Sequence, residues 1–221
     1  MSRSFARRLF LPAIAIGLVC LGAAPAAAAD GAFDLGVRAN VLVGNGEPTN
    51  DMIGYGLFAR FRVGEGWRVG VGVDHSPEFD VEGIAALVGQ SQDPAVEVID
   101  AKGSSTVVRA WLERSYPNAS GRFEWFWTVG AGVANVEVDD VSGPRAGGGT
   151  FTVVTDAGTE VLAAGSLGLR WFFIPMVALE LAGRLDYHFA DWTLQDTVSG
   201  ATATVDDYLV TGGHVGFTFR F

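Results

Sequence analysis

"LGLRWFFIPMVALELAGRLDYHF", residues 167–189, alternates in side-chain character over most of its length. Leu167, Leu169, Trp171 and Phe173 share one parity, with Gly168 and Arg170 on the other. After "IP" (174–175) the alternation resumes. Val177, Leu179, Leu181, Leu185, Tyr187 and Phe189 are set against Glu180, Arg184, Asp186 and His188. Successive side chains of a strand point to opposite faces, so period two predicts two strands, about 159–173 and 176–189, joined by a tight turn.

The same pattern runs outward in both directions. Strands are predicted at 32–43, 53–63, 67–75, 105–116 and 122–138, and a last one at 206–221 closes on "HVGFTFRF" (214–221). One residue breaks phase: Arg114 falls on the apolar parity of its strand, near one end. Eight strands of about nine residues or more are long enough to cross a bilayer at a tilt. The connections alternate in length. Residues 64–66, 117–121 and 174–175 are short, whereas 44–52, 76–104, 139–158 and 190–205 are long. A soluble barrel would turn its bulky apolar face inward. Here Gly, Ser and Thr accompany the charges on one parity and large apolar residues fill the other, the inverted arrangement that lipid demands. Closing the sheet satisfies every backbone N–H and C=O, which an open edge in lipid could not. The expected fold is all-β: an eight-stranded antiparallel up-and-down transmembrane β-barrel.

Aromatic placement agrees with that reading. Phe61, Trp67, Tyr116, Phe123, Trp125, Trp171, Phe173, Phe219 and Phe221 fall near the short-turn end on the apolar parity. Tyr55, Tyr187, Phe189 and Trp192 fall near the other. Two aromatic girdles mark the two membrane interfaces.

The N-terminus reads differently. Arg3, Arg7 and Arg8 precede the apolar run "LFLPAIAIGLVCLG", and "APAAAAD" supplies small residues before Asp30. Residues 1–29 are predicted to be a cleaved signal peptide and 30–221 the barrel domain. Cys20, the single cysteine, leaves with the signal, so neither a disulfide nor a thiolate metal site is expected. Losing the three arginines lowers 15 basic residues to 12 against 25 acidic ones, a formal charge of −13. That charge argues against nucleic acid as a partner.

Three stretches carry a resemblance. "FDLGVRANVLVG" (33–44), the 167–189 hairpin and the terminal "GFTFRF" (216–221) resemble the small OmpA/OmpW-type outer-membrane β-barrels of Gram-negative bacteria. The resemblance implies export to the cell outer membrane, a monomeric state, and contact with outer-membrane lipid and lipopolysaccharide. It also implies that Phe217, Phe219 and Phe221 form the C-terminal signal read by the barrel-assembly machinery.

The inward parity assembles two candidate sites. The first is ionic: Arg38, Arg60, Arg62, Arg68, Arg109, Arg170, Arg184 and Arg220 against Asp34, Asp74, Glu113, Glu124, Glu160, Glu180 and Asp186. A lumen of this size holds little besides side chains, so the charges are expected to pair into a plug, with a gated pore as the alternative. The second is apolar. Leu42, Val107, Val136, Leu162 and Val210 lie toward the long loops, with Trp111 deeper. They could line a pocket for a small hydrophobic ligand, as OmpW-type channels imply, or pack against the loops.

Enzymatic signals are weak. "AGSLG" (164–168) lacks the first glycine of a nucleophile elbow and sits in a strand. Asp186, His188 and His214 share the inward face without an obvious nucleophile. His75–Ser76 matches only a fragment of an outer-membrane lipid-modifying site. No catalytic residues and no cofactor are expected. The acidic long loops match no calcium-loop spacing, so no metal is expected. "VEGIAALVGQ" (81–90) reads as a short helix or a strand extension over the lumen.

Overall fold

The structure is a computed structural model and describes residues 32–44, 51–81, 101–144 and 148–221. The signal-peptide segment and most of the 81–90 stretch lie outside the described residues. Eight strands form the wall: β1 (Phe33–Gly44), β2 (Met52–Gly64), β3 (Trp67–Val81), β4 (Ala101–Pro117), β5 (Phe123–Val138), β8 (Thr159–Ile174), β9 (Val177–Phe189) and β12 (Tyr208–Arg220). They close in the order β1-β12-β9-β8-β5-β4-β3-β2, each antiparallel to its neighbours. At the seam β1 pairs with β12 from Asp34 opposite Arg220 to Gly44 opposite Val210. Phe33 and Phe221 exchange backbone hydrogen bonds there, which leaves no unpaired edge.

Exposure is inverted relative to a soluble protein. Ile53, Leu57, Leu167 and Leu181 are each more than 60% exposed on the outer surface, while Arg170 and Glu113 are 0% exposed inside. The polar groups of the wall therefore face a lumen and its bulk apolar groups face outward, as lipid requires. Both two-residue turns are tight. Glu65–Gly66 joins β2 to β3 with Gly66 at φ 68°, a left-handed conformation that favours glycine. Pro175–Met176 joins β8 to β9.

The long-loop end holds more structure than the periodicity predicted. β6 (Val141–Pro144), β7 (Thr150–Thr155), β10 (Trp192–Asp196) and β11 (Thr202–Val205) form a second sheet in the order β11-β10-β7-β6. These strands come from 139–158 and 190–205, expected as irregular loops. Runs of four to six residues are too short to reveal a period against turn-forming neighbours. β3 and β4 also run past the predicted ends at 75 and 105. A register shift between Ser76 and Phe79 accommodates Pro77, which has no N–H to give the ladder. Beyond it the facing parity changes, and Phe79 and Val81 turn inward, 3% and 0% exposed. The phase change hides this extension from a period-two reading.

Candidate functional site

Charged side chains fill the lumen in tiers, each from the inward parity of a wall strand. At the short-turn end Arg220 (β12) donates from Nε to Asp34 (β1) at 3.1 Å and from Nη2 to Glu124 (β5) at 3.0 Å. Arg68 (β3) bonds Glu124, Ser115 and Glu113 through Nη1, the last two at 2.8 and 3.0 Å.

The next tier centres on Arg170 (β8). Its Nη2 and Nη1 reach the two oxygens of Glu113 (β4) at 2.5 and 2.8 Å, the fork geometry that a guanidinium offers a carboxylate. Its Nε bonds Glu180 (β9) at 2.6 Å, and its Cζ lies 3.9 Å from the Phe126 ring centroid. Arg60 (β2) joins the same two carboxylates, Glu180 at 2.8 Å and Glu113 at 3.1 Å, and bonds Thr218 at 2.7 Å. His214 lies 3.0 Å from Glu180 through Nε2.

Above these, Asp74 (β3) gathers three arginines. Arg38 grips it bidentately at 2.7 and 2.9 Å, and Arg184 donates at 3.1 Å. Arg109 approaches to 2.9 Å, although that nitrogen is not aligned for a hydrogen bond. Asn40 adds a bond of 3.1 Å. Arg184 also bonds Asp186, at 2.8 Å from Nε.

At the top Glu160 (β8) accepts three hydrogen-bonding neighbours: His188 at 2.8 Å, the Trp192 indole N–H at 2.8 Å and the Tyr208 hydroxyl at 2.9 Å. Trp192 belongs to β10, so this carboxylate fastens the second sheet to the wall. His188 and Asp186 share the inward face of β9, but His188 meets Glu160 rather than Asp186, and its ring stacks on Tyr208 at 4.6 Å.

Of the fifteen charged positions picked out by parity, thirteen meet one another inside the barrel, and Glu160 is buried with them but pairs with His188. Arg62 does not. It is exposed at the end of β2, opposite Arg68 in register, and forms no ion pair among the described residues. The strand has run out of the barrel there, so parity no longer reports burial. Asn40, Ser115, Thr218 and Tyr208 complete the network. Each carries the inward parity, but a search for charge passes over them.

The apolar candidates separate too. Leu42, Val107, Val136, Leu162 and Val210 are buried in one cluster with Phe79, Val81, Phe151, Val153, Trp192 and Leu194. Side chains of the second sheet thus fill the space above the charges. The void at this level measures about 20 Å³, and a second one, between the Asp74 and Glu113 tiers, about 30 Å³, each the room of about one water. Trp111 lies lower, among the charges, with Arg38 5.6 Å from its ring and Phe58 edge-on at 6.4 Å. Glycines make room for these inward rings. A Cβ on Gly70 would lie 2.2 Å from Trp111, one on Gly36 2.0 Å from Phe58, and one on Gly168 2.5 Å from Phe126.

No protein-family model matches the chain, and no curated protein sequence matches it. Solved structures do. The chain is similar in shape to Neisserial surface protein A, with 13% identity, 86% of this chain and 97% of that one covered, and a TM-score of 0.52. A major outer membrane protein from Thermus thermophilus matches with 13% identity over 86% of this chain and all (100%) of that one, TM-score 0.51. At such identity the likeness speaks for fold alone, and the fold that it shows is that of a small outer-membrane β-barrel.

Proposed function

We propose that this protein is a non-catalytic, monomeric resident of the Gram-negative outer membrane, of the OmpA/OmpW-like kind, and that it serves envelope structure or surface contact through its long-loop end. Residues 1–29 direct export and are removed. The strand ending in Phe217, Phe219 and Phe221 is the segment that the barrel-assembly machinery reads. Outer-membrane lipid and lipopolysaccharide are its immediate partners.

The observation that carries this reading is the filled lumen. Seven arginines interlock with six carboxylates under an apolar cluster, Glu160 holds His188 above them, and the two voids described among these side chains have the size of a water. Moving a solute through it would require uncoupling several buried ion pairs, each of which is strongly destabilised when one partner is lost. Such a protein works at its outer surface.

Conductance of the refolded mature protein in a planar bilayer tests this, with Arg184→Ala beside it. The expected result is no unitary steps from the wild type. Regular wild-type steps that change in the variant would make the ion pairs a gate and the protein a pore. A channel for small hydrophobic molecules would show instead as uptake of such a compound by vesicles that do not conduct ions.

A further inference from the structure

Among the described residues of the wall, Arg114 is the one arginine on the outward parity. It sits on β4 between Leu112 and Tyr116, in register with Trp67 on β3 and Trp127 on β5. A charged group on a lipid-facing surface is costly at the bilayer centre and acceptable near an interface, where it can reach headgroups. Its surroundings put it at an interface. Tyr116 and Trp125 stack at 4.2 Å and Trp67 and Trp127 meet edge-on at 5.8 Å; Tyr116, Trp125 and Trp67 belong to the aromatic girdle of the short-turn end, and Trp127 lies beside it.

The guanidinium is held rather than free. Its Cζ lies 5.2 Å from the ring centroids of both Trp67 and Tyr116. Nη1 donates to the backbone carbonyl of Glu65 in the β2–β3 turn. A Cβ on Gly66 would come within 3.0 Å of that nitrogen, so the turn's glycine admits the contact. One donor is thus used for positioning, and the others are unclaimed: among the described residues no carboxylate pairs with Arg114. Arg62 and Arg122 stand exposed at the same end of the barrel. The positive charge left unpaired inside the girdle is of the kind that takes a phosphate, because a fixed planar fork matches two phosphate oxygens.

We propose that Arg114, framed by Trp67, Tyr116 and Trp127, is a binding site for the phosphate of a glycerophospholipid in the membrane leaflet at the short-turn end. This rests on the proposed membrane residence, in which that leaflet is the periplasmic one. The indole and phenol rings lie along the glycerol and upper acyl chains while the guanidinium forks the phosphate. Arg114 then fixes the depth of β4 in the bilayer.

Wild type, Arg114→Gln and Arg114→Lys are refolded in detergent, titrated with phosphatidylglycerol, and read by native mass spectrometry for retained lipid. Diacylglycerol with the same chains lacks the phosphate and is the control. The wild type should retain one phosphatidylglycerol. Arg114→Gln should weaken retention by about tenfold, in line with loss of a charge-assisted contact. Arg114→Lys keeps the charge without the fork and should weaken it less, and it carries the test if the Gln variant fails to fold. Equal retention by wild type and variants, or equal retention of diacylglycerol, overturns the site. Displacement of the lipid by inorganic phosphate as readily as by added phosphatidylglycerol would reassign it to free phosphate and overturn the lipid assignment. Insertion of the wild type into phospholipid vesicles is scored separately by the heat-dependent gel shift of a folded barrel. Failure there would sink the membrane reading, whereas the detergent titration would still report on Arg114.

Discussion

Arg38 on β1 and Asp74 on β3 face each other across the strand between them and are joined by two parallel hydrogen bonds of 2.7 and 2.9 Å. Asp74 also takes a bond from Arg184 and a close approach from Arg109, so one carboxylate faces three guanidinium groups. Asp74→Ala leaves those charges buried with only Asp186 nearby. The expected loss is ~3–5 kcal/mol of unfolding free energy, measured by urea denaturation in vesicles. Replacing Arg38 and Asp74 together with Met and Leu should recover only part of it, because Arg184 and Arg109 still lack that carboxylate. A double variant as unstable as the single one would show that Arg184 and Arg109, rather than Arg38, carry the cost of the missing carboxylate.

Gly70 and Trp111 occupy adjacent positions on β3 and β4, and a methyl group on the glycine would lie 2.2 Å from the indole. On the other neighbouring strand, a Cβ on Gly130 would come within 2.7 Å of the Trp111 Cβ, so the base of this side chain is confined as well. Gly70→Ala should therefore destabilise by ~1–3 kcal/mol as overpacking. Adding Trp111→Ala should relieve that particular clash, so the two effects would be non-additive in a double-mutant cycle. Additive losses would show that the indole is not the obstacle.

The second sheet and the wall share a buried contact, the Trp192 indole N–H bonded to Glu160 at 2.8 Å. Trp192→Phe removes the donor from a buried carboxylate and should cost ~1.5–3 kcal/mol. Trp192→Ala also opens a cavity in the upper cluster and should cost ~3–5 kcal/mol. The loss should appear as faster amide exchange and protease cleavage within 139–158 and 190–205, with protection of the wall strands unchanged. Exchange rising equally in β1 and β2 would mean that sheet and wall unfold as one unit.

Phe221 closes the seam through its N–H to the Phe33 carbonyl at 2.8 Å and a ring contact with Phe33 at 6.3 Å. Deleting it should lower the yield of folded barrel, seen as the heat-shifted gel band after refolding into vesicles. The loss should be larger when assembly proceeds through the barrel-assembly machinery. Equal loss in both settings would mean that the residue serves the seam alone.

The wall was legible in the sequence because a membrane barrel is its period-two pattern written eight times, and Val37, Leu57, Leu181 and Phe217 could face only outward. The same parity located Glu113 and Arg170 in the lumen. Parity says which face a residue takes and nothing of how far the strand reaches, so Arg62 was grouped with charges that it does not meet. It was silent as well on which pairs form. Arg38 finds Asp74 two strands away, a relation set by barrel tilt and side-chain length. The second sheet was least visible: Phe151, Val153, Trp192 and Leu194 alternate correctly, but in segments too short to stand out between turns. Their burial depends on a partner surface elsewhere in the chain.

The Glu160 contacts have a mechanical meaning. Glu160, His188 and Tyr208 come from β8, β9 and β12, which are consecutive staves of the wall, and Trp192 ties the outer sheet to that carboxylate. A pull on the outer sheet by a bound surface would be passed first to those three staves, through a contact shielded from water. The long-loop end thus resembles a hinged lid less than a handle bolted to one side of a cask.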